Sequence, residues 1–281
     1  VPVTAAGGDC RLCWCSGTLS CDQVDDFRGD MDQFIHVGPA PLLDNRTRVS
    51  GQTCEFVATM GQHLSDGDRL QLLDTCSLEV ELTRFAGDGL RTTPGSDTGT
   101  KFGLNVNTAQ GGLYRLCWCA SGFNCHTSEH SRVDTGDLPM IEPAPLNQDR
   151  TCVSGQTCVV PSLPGFRMNA AASLAIRDTC GVGQPGEVCS IDGVVERFPH
   201  ARLLVPDGSM QWTATHTSAK GGVYRFCWCS AEASCTGYET FRVDMGVMLI
   251  GGSRALDRQY TCASGQECAL RFMLRDDVTR Q

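Results

Sequence analysis

Gly111 to Cys125 reads GGLYRLCWCASGFNC, and this stretch occurs twice more in the chain with few changes. It stands at residues 7–21 as GGDCRLCWCSGTLSC and at residues 221–235 as GGVYRFCWCSAEASC. Alternation of apolar and polar residues with a period of two is typical of a β-strand. In the 111–125 copy such a strand has tyrosine, leucine and tryptophan on one face, and arginine with two cysteines on the other. We therefore expect the aromatic face to join a core and the cysteines to lie on the outer face.

A second phrase, RTCVSGQTC at residues 150–158, recurs as RTRVSGQTC at residues 46–54 and as YTCASGQEC at residues 260–268. For both phrases the first two copies are 104 residues apart and the last two are 110 apart. The two phrases therefore belong to one tandem repeat of a little over 100 residues, and each repeat has the size of a small domain.

Prolines mark the junctions between repeats. The run GPAPL at residues 38–42 returns as EPAPL at residues 142–146 and, without prolines, as GSRAL at residues 252–256. Because proline restricts the backbone to extended conformations and has no amide donor, we expect stiff junctions there. The chain is then expected to be a piece of something longer. The predicted divisions are the C-terminal part of a repeat at 1–38, a complete repeat at 39–142, a complete repeat with a six-residue insertion at 143–252, and the N-terminal part of a following repeat at 253–281.

The pattern within a repeat favours strands. Short alternating runs such as SLAIR at residues 173–177 are separated by Asp-Gly and Pro-Gly pairs, which favour tight turns, and no segment has a convincing helical period. Short strands, frequent turns and a repeat near 100 residues predict an all-β fold. We expect tandem immunoglobulin-like antiparallel sandwiches, rich in disulfides, with partial units at both ends.

Composition and motifs argue against several classes of function. The net charge is −9, from 23 basic and 32 acidic residues without a basic cluster, which argues against nucleic acid as a partner. There is no run of 18 apolar residues, so we expect no membrane span in this segment. The six histidines take unmatched positions in the repeats, and no nucleophile motif or phosphate loop is present. We therefore expect no enzyme, no catalytic residue and no bound cofactor.

Eighteen cysteines are far more than ordinary usage. Small domains bury limited surface and commonly compensate with disulfides, which persist in oxidising compartments. Zinc is the rival interpretation, because C-x-C followed by a third cysteine offers thiolate ligands; the absence of paired C-x2-C motifs and of recurring histidines favours disulfides over a metal. The disulfide candidates are Cys10, Cys13, Cys15, Cys21, Cys54, Cys76, Cys117, Cys119, Cys125, Cys152, Cys158, Cys180, Cys189, Cys227, Cys229, Cys235, Cys262 and Cys268.

The connectivity of these cysteines stays open at the level of sequence. The second complete repeat has two cysteines that the first lacks, Cys152 and Cys189, which pair either with each other or with Cys158 and Cys180 respectively. The two repeats contain five and seven cysteines, both odd numbers. Either one thiol in each repeat is free, or at least one bridge crosses between neighbouring repeats.

Asn45-Arg46-Thr47 is an acceptor sequence for N-glycosylation and follows a proline junction, where exposure is expected. Asn45 is therefore the candidate for a covalent glycan.

The combination of GGLYRLCWC, the proline junction and RTCVSGQTC resembles the cysteine-rich repeats of algal mastigoneme-like proteins and of related protist extracellular repeat glycoproteins. Mastigoneme-like proteins build the hair-like filaments on flagella. The resemblance implies tandem immunoglobulin-like domains, dense disulfides, glycans and assembly into a filament. The chain departs from the pattern at Arg48, which replaces a cysteine, at Cys10, which replaces a tyrosine, and at residues 252–254.

Two functions follow from these observations. The first is a structural subunit of an extracellular filament, secreted or on the cell surface and in particular the flagellar surface, that self-associates without catalysis. Strand exchange between chains is expected if the trailing strands near residues 254–272 complete a sandwich begun by residues 7–35 of a neighbour. The alternative is a cell-surface adhesion or glycan-binding ectodomain, with Trp212 as a candidate sugar contact.

Overall fold

The computed structural model describes residues 2–43, 45–56, 59–78, 82, 84–85, 89–92, 100–101, 106–169, 171–181, 195–199, 202–203, 210–211, 216–253, 259 and 261–268. Over these residues the only helices are 3-10 turns of three residues, and the remaining regular structure is β. The predicted all-β fold is confirmed.

The regular elements are short, as the spacing of turn residues predicts. The strands are β1 Gly8–Trp14, β2 Gly29–His36, β3 Gly38–Pro39, β4 Arg48–Val49, β5 Glu55–Phe56, β6 Gly61–Gln62, β7 Arg69–Leu73, β8 Leu90–Thr92, β9 Thr100–Lys101, β10 Gly112–Cys119, β11 Val133–Pro143, β12 Arg150–Val153, β13 Val159–Val160, β14 Gly165–Phe166, β15 Ser173–Arg177, β16 Arg202–Leu203, β17 Met210–Gln211, β18 Gly222–Cys229 and β19 Val243–Gly251. The 3-10 turns are Val24–Asp26, Ser128–His130 and Tyr238–Thr240.

The chain forms two compact units. Unit 1 comprises Val1–Ala144 with Gly165–Met168, and unit 2 comprises Pro145–Pro164 with Asn169–Gln281. In the first complete repeat β4 pairs with β11, and in the second β12 pairs with β19. The end of β11 also pairs with β14, which belongs to the second predicted repeat in sequence but to unit 1 in the structure. The repeat boundaries at 38/39, 142/143 and 252/253 stay predictions.

Both units contain the same main sheet. Unit 1 has the order β8, β7, β10, β11, with β4 parallel to β11 and β14 antiparallel to the end of β11. Unit 2 has the order β16, β15, β18, β19, β12, with β12 parallel to β19. The first four strands of each sheet are antiparallel. Their order in the chain and in space is that of the C′, C, F and G strands of an immunoglobulin domain. Separate two-stranded sheets, β5 with β9 and β13 with β17, accompany the main sheets.

A tyrosine near the start of β10 and of β18 supports the immunoglobulin-like assignment. The Tyr114 hydroxyl donates to the Gln110 carbonyl at 2.7 Å, and the Tyr224 hydroxyl donates to the Lys220 carbonyl at 2.8 Å. This bond from a tyrosine near the start of strand F to the backbone a few residues upstream is the tyrosine corner of immunoglobulin-like sandwiches.

The two faces of β10 separate as the alternation predicts. Tyr114 and Leu116 pack with Leu72, Leu138 and Met140 in the core of unit 1. In unit 2 the cysteines equivalent to those of β10 belong to a separate cluster, in which Cys227 and Cys229 pack against Ala175 and Phe241. The disulfide plan therefore differs from that of antibody domains, because the cysteines lie outside the core that contains the tyrosine.

The first glycine of each repeated Gly-Gly pair is required by close backbone packing. A Cβ on Gly7, Gly111 or Gly221 would lie closer than 3.0 Å to a backbone carbonyl at the following junction, which real Cβ atoms do not tolerate. The amide of Gly111 also donates to the Pro143 carbonyl at 3.2 Å. This glycine therefore ties the start of β10 to the end of β11.

We predict that Gly111→Ala lowers the free energy of unfolding of unit 1 by about 1–3 kcal/mol, the usual cost of forcing an extra carbon into a packed site. Urea unfolding measures the change in the free energy of unfolding, and hydrogen exchange of the β10 amides measures the effect at this strand. Gly112→Ala is the matched control, because its Cβ would meet Tyr114 at an ordinary 3.6 Å. Equal stability of the two variants would show that the junction yields to the added methyl group.

Candidate interaction surface

The hairpin β1–β2 is a third copy of the strand pair at the centre of each main sheet. It is antiparallel with an irregularity between Leu12 and Cys13, and β10–β11 has the equivalent irregularity between Leu116 and Cys117. The pair β18–β19 shifts register at the same place. All three pairs therefore have one geometry.

A cross-strand ion pair repeats in the three copies. An arginine of the first strand contacts an aspartate of the second: Arg11 with Asp30 at 3.3 Å, Arg115 with Asp134 at 3.3 Å and Arg225 with Asp244 at 2.6 Å. Such partly exposed pairs contribute little free energy. Their recurrence shows that the hairpin keeps the side-chain arrangement of the complete repeats.

The hairpin differs from the other copies in what covers it. Leu12, Trp14 and Phe34 are 50%, 56% and 50% exposed. The side chains 104 positions later are Leu116, Trp118 and Leu138, with exposures of 1%, 5% and 0%. We call the surface formed by Leu12, Trp14 and Phe34 the hairpin face.

The hairpin face is exposed because one edge of β1 has no paired strand among the described residues. In unit 1, β10 has β7 along one edge and β11 along the other, whereas among the described residues β1 pairs with β2 alone. The hairpin face therefore presents core-type side chains to solvent. Clustered exposed apolar side chains of this kind mark interaction surfaces.

Disulfides connect the strands and loops of every copy. The bonds are Cys15–Cys21, Cys76–Cys117, Cys119–Cys125, Cys152–Cys158, Cys180–Cys227, Cys229–Cys235 and Cys262–Cys268. Three of them close the same loop after β1, β10 and β18, and two join the segment after β7 or β15 to the neighbouring strand. Each of these bonds lies within one repeat.

The structure selects among the pairings that the sequence left open. Cys152 bonds to Cys158, while Cys180 bonds to Cys227. Pairing of Cys152 or Cys180 with Cys189 is therefore wrong, and Cys189 itself lies outside the described residues. The reason is the fold: the end of β15 lies next to β18, which brings Cys180 and Cys227 to a Cα distance of 5.5 Å.

Three disulfide candidates are free thiols in the structure, which corrects the prediction for them. Cys10 and Cys13 are exposed, and Cys54 is buried. Cys10 stands at the position of Tyr114, a core residue in the complete repeat. Cys54 is the counterpart of Cys158, but Arg48 occupies the position equivalent to Cys152, the cysteine to which Cys158 bonds. Cys13 is the counterpart of Cys117, and no strand equivalent to β7 pairs with β1 among the described residues.

Cys54 is unsuited to nucleophilic chemistry. Burial is the main cause that raises the pKa of its thiol to about 11, against the smaller lowering effects of Arg48 and Asn107. A thiol needs a lowered pKa and access to solvent to be reactive. Cys54 is therefore a packed apolar group rather than a catalytic residue.

Glu142, at the end of β11, is a buried carboxyl group beside this thiol. Its side chain has no exposed surface, and neither carboxyl oxygen has a hydrogen-bond partner in the structure. Burial raises its pKa to about 10, although Arg84 opposes the rise. The group is accordingly protonated at neutral pH, so neither Cys54 nor Glu142 carries a charge there.

In the part of the chain that the structure describes, no cluster of three or more His, Cys, Asp or Glu side chains could hold a metal ion. Over the same residues, no helix has the length and apolarity needed to cross a bilayer.

Asn45 is exposed and its side chain has a structural role that is compatible with glycosylation. Its Oδ1 accepts a hydrogen bond from the Asp137 amide at 2.9 Å. Asp149, 104 positions later, accepts the same bond from the Val247 amide at 2.7 Å. An N-linked glycan attaches to Nδ2, so the hydrogen bond and the glycan use different atoms. Trp212, the candidate sugar contact, lies outside the described residues.

Comparison with known proteins identifies no family. No family model matches the chain, and no curated protein matches it. Solved structures that align with it include the fibronectin(III)-like modules of Clostridium thermocellum CbhA, with 10% identity over 81% of this chain and 100% of that one, at a TM-score of 0.20. Sidekick-1 immunoglobulin domains 1–5 align with 10% identity over 75% of this chain and 36% of that one, at 0.21. Sidekick-1 domains 1–4 align with 11% identity over 76% and 46%, at 0.20.

At such low TM-scores these similarities carry no argument about this chain. The immunoglobulin-like assignment is based instead on the sheet order and the tyrosine corner.

We predict that the three free thiols differ in reactivity. Iodoacetamide at pH 8 should modify exposed Cys10 and Cys13, and should modify Cys54 at least tenfold more slowly, because burial blocks access and a pKa of about 11 leaves roughly one thiolate in a thousand. Peptide mapping by mass spectrometry measures each site, and the urea-unfolded chain, in which Cys54 should react as well, is the control. Rapid modification of Cys54 in the folded chain would contradict its burial.

We predict that Glu142→Gln flattens the pH dependence of stability. The raised pKa means that folded Glu142 keeps a proton that the unfolded chain releases above about 4.5, so its contribution to stability declines as the pH rises from 4.5 toward 10. Glutamine, which is neutral throughout, should raise the unfolding midpoint at pH 7 and change it little at pH 4. Exposed Glu129→Gln is the control. A variant less stable than the parent at pH 7 would show that the carboxylate is ionised and stabilised in the fold.

Proposed function

We propose that this chain is a structural segment of an extracellular glycoprotein filament of the mastigoneme-like type, working without catalysis. The observation that carries the proposal is the threefold recurrence of one strand pair, with its register, its ion pair and its loop disulfide, including one copy whose apolar face is exposed. A tandem array with an uncovered core face is suited to assembly rather than to a single active site.

The disulfides support an extracellular location for such a filament. Seven bonds form among the described cysteines, and such bonds persist in oxidising environments such as the cell exterior. The chain is of the extracellular or cell-surface type. A location on a flagellum is part of the proposal and is based on the resemblance of the repeats.

Backbone pairing within unit 1 supports a stiff array. The hairpin continues into β3, which pairs with β6 of the following repeat, and the Gly7 amide donates to the Pro39 carbonyl at 3.0 Å. The end of β11 pairs with β14 in the same way. Within unit 1, backbone hydrogen bonds and proline at the junction between the hairpin and the next repeat favour a stiff connection, as a fibre under tension requires.

Glycans and self-association complete the proposed function. Asn45 is the proposed glycan site, since its Nδ2 is the attachment atom and its side chain is exposed. Assembly through the hairpin face would bury Leu12, Trp14 and Phe34, whose counterparts in the complete repeat are buried.

The second candidate is a cell-surface adhesion or glycan-binding ectodomain. Exposed aromatic side chains favour it, because Trp14 and Phe34 lie on one accessible surface of the kind that sugar rings stack on.

Assembly of the native material distinguishes the two functions. We expect elongated ordered fibres in electron micrographs and concentration-dependent association in sedimentation velocity. Trp14→Ser with Phe34→Ser should reduce association at least fivefold, because it removes apolar surface that association would bury. The control, Leu113→Ser with Val223→Ser, changes two exposed strand residues elsewhere and should leave association unchanged. A chain that stays monomeric and gives a glycan-array signal lost in the Trp14 and Phe34 variant would reject the filament and favour the ectodomain.

A further inference from the structure

We propose that the hairpin β1–β2 accepts an added strand of the β7 type from a repeat segment outside this sequence, and that Cys13 closes a disulfide with the cysteine after that strand. The inference deepens the proposed assembly function by naming the partner of the hairpin. The partner is a strand with two alternate apolar residues that is followed by Asp-Thr-Cys.

The first argument is the position of Cys13. Its counterparts Cys117 and Cys227 each bond to a cysteine that follows the neighbouring strand, Cys76 after β7 and Cys180 after β15. Both bonds span a Cα distance of 5.5 Å. Cys13 occupies the same place in the same strand geometry, and its thiol is free and exposed.

The second argument is the free edge of β1. In unit 1 the strand β7 runs antiparallel to β10, with Leu72 opposite Leu116 and Leu70 opposite Trp118. Leu12 and Trp14 are the equivalents of these two β10 residues. An incoming strand in the same register would place its apolar side chains beside the hairpin face, where a continuous apolar sheet surface forms.

The third argument is the sequence shared by β7 and β15, the two strands that pair with the counterparts of β1 in the complete repeats. Both β7 and β15 alternate apolar residues and are followed by Asp-Thr-Cys, at residues 74–76 and 178–180. The bonded cysteines are 41 residues apart in the first complete repeat and 47 apart in the second, yet the bond joins equivalent positions in both. The position of the strand beside its partner therefore decides the pairing, independently of the length of the loop between them.

The two strands of the β7 type within this sequence, and the cysteines that follow them, are already engaged. Cys76 and Cys180 are bonded within their own repeats, and the trailing residues 253–281 contain only Cys262 and Cys268, which bond to each other. A second copy of this chain therefore offers no free thiol directly after a strand of the β7 type. The donor is a further segment with the repeat pattern.

The chemistry balances by thiol–disulfide exchange with a small-molecule disulfide such as oxidised glutathione. The donor thiolate attacks the oxidised glutathione, giving a mixed disulfide and one glutathione thiol. The Cys13 thiolate then attacks the donor sulfur and releases the second glutathione thiol. Two protein thiols are oxidised, and one glutathione disulfide is reduced to two thiols.

The test combines the full chain with a synthetic peptide of residues 67–78, GDRLQLLDTCSL, in a buffer of reduced and oxidised glutathione. We expect a peptide disulfide on Cys13 by mass spectrometry, formed at least tenfold faster than with a scrambled peptide that keeps the cysteine in place. Cys13→Ser should abolish the adduct, and Cys10→Ser should leave it unchanged. In the adduct, hydrogen exchange at the β1 amides should slow, which a chance disulfide without strand pairing would not produce.

Three outcomes would overturn the proposal. They are equal rates for the scrambled peptide, an adduct shared between Cys10 and Cys13, and a covalent dimer of the chain through Cys13 that outcompetes the peptide. The last would show that the hairpin takes a second copy instead. Fibres that form without any Cys13 adduct would reject this inference and leave the proposed filament standing. An adduct without fibres would support this inference and reject the proposed filament.

Discussion

The disulfide between the end of one central strand and the middle of its neighbour is the constraint on which each sheet depends. Cys76–Cys117 and Cys180–Cys227 hold β7 to β10 and β15 to β18 on the face opposite Tyr114 and Leu116. A domain of about 100 residues buries limited apolar surface. Because the cross-link lies outside the core, it restricts the unfolded chain without taking space from the side chains that pack inside.

The outer disulfide and the inner core follow from one strand alternation. Since successive side chains of β10 point to opposite faces, the residues that flank each cysteine are committed to the core. The face assignment could therefore be predicted from six letters of sequence, and the same argument holds for β18. The partner of each cysteine could not be predicted in this way, because 41 or 47 residues of loop separate the bonded pair. Only the placement of β7 beside β10 decides the pairing.

Glu142 shows a second limit of prediction. In the sequence it belongs to a proline junction, where a carboxylate is expected to be solvated, yet the structure buries it with Cys54. The related junctions have Gly38 and Gly252 at the equivalent position. Burial of this side chain depends on how the start of β10 packs against the end of β11, through Gly111, and no local pattern reports that contact. Arg48 is a further difference at this place, because the second complete repeat has Cys152 there, bonded to the counterpart of Cys54. The Arg48 guanidinium instead donates hydrogen bonds to backbone carbonyls, including that of Thr47 at 2.8 Å.

Within the described residues, the hairpin is connected to the rest of unit 1 through its junction. A two-stranded hairpin is marginally stable alone, but β1–β2 is closed by the Cys15–Cys21 loop and tied to the next repeat through β3, β6 and the Gly7 amide. Its register, bulge and ion pair are already those of a complete sheet. The strand addition proposed above would therefore meet a template with the geometry of a complete sheet, so little free energy would be lost to ordering of the hairpin. Leu12, Trp14 and Phe34 are exposed on this connected hairpin, which is why the proposed added strand is assigned to the hairpin face.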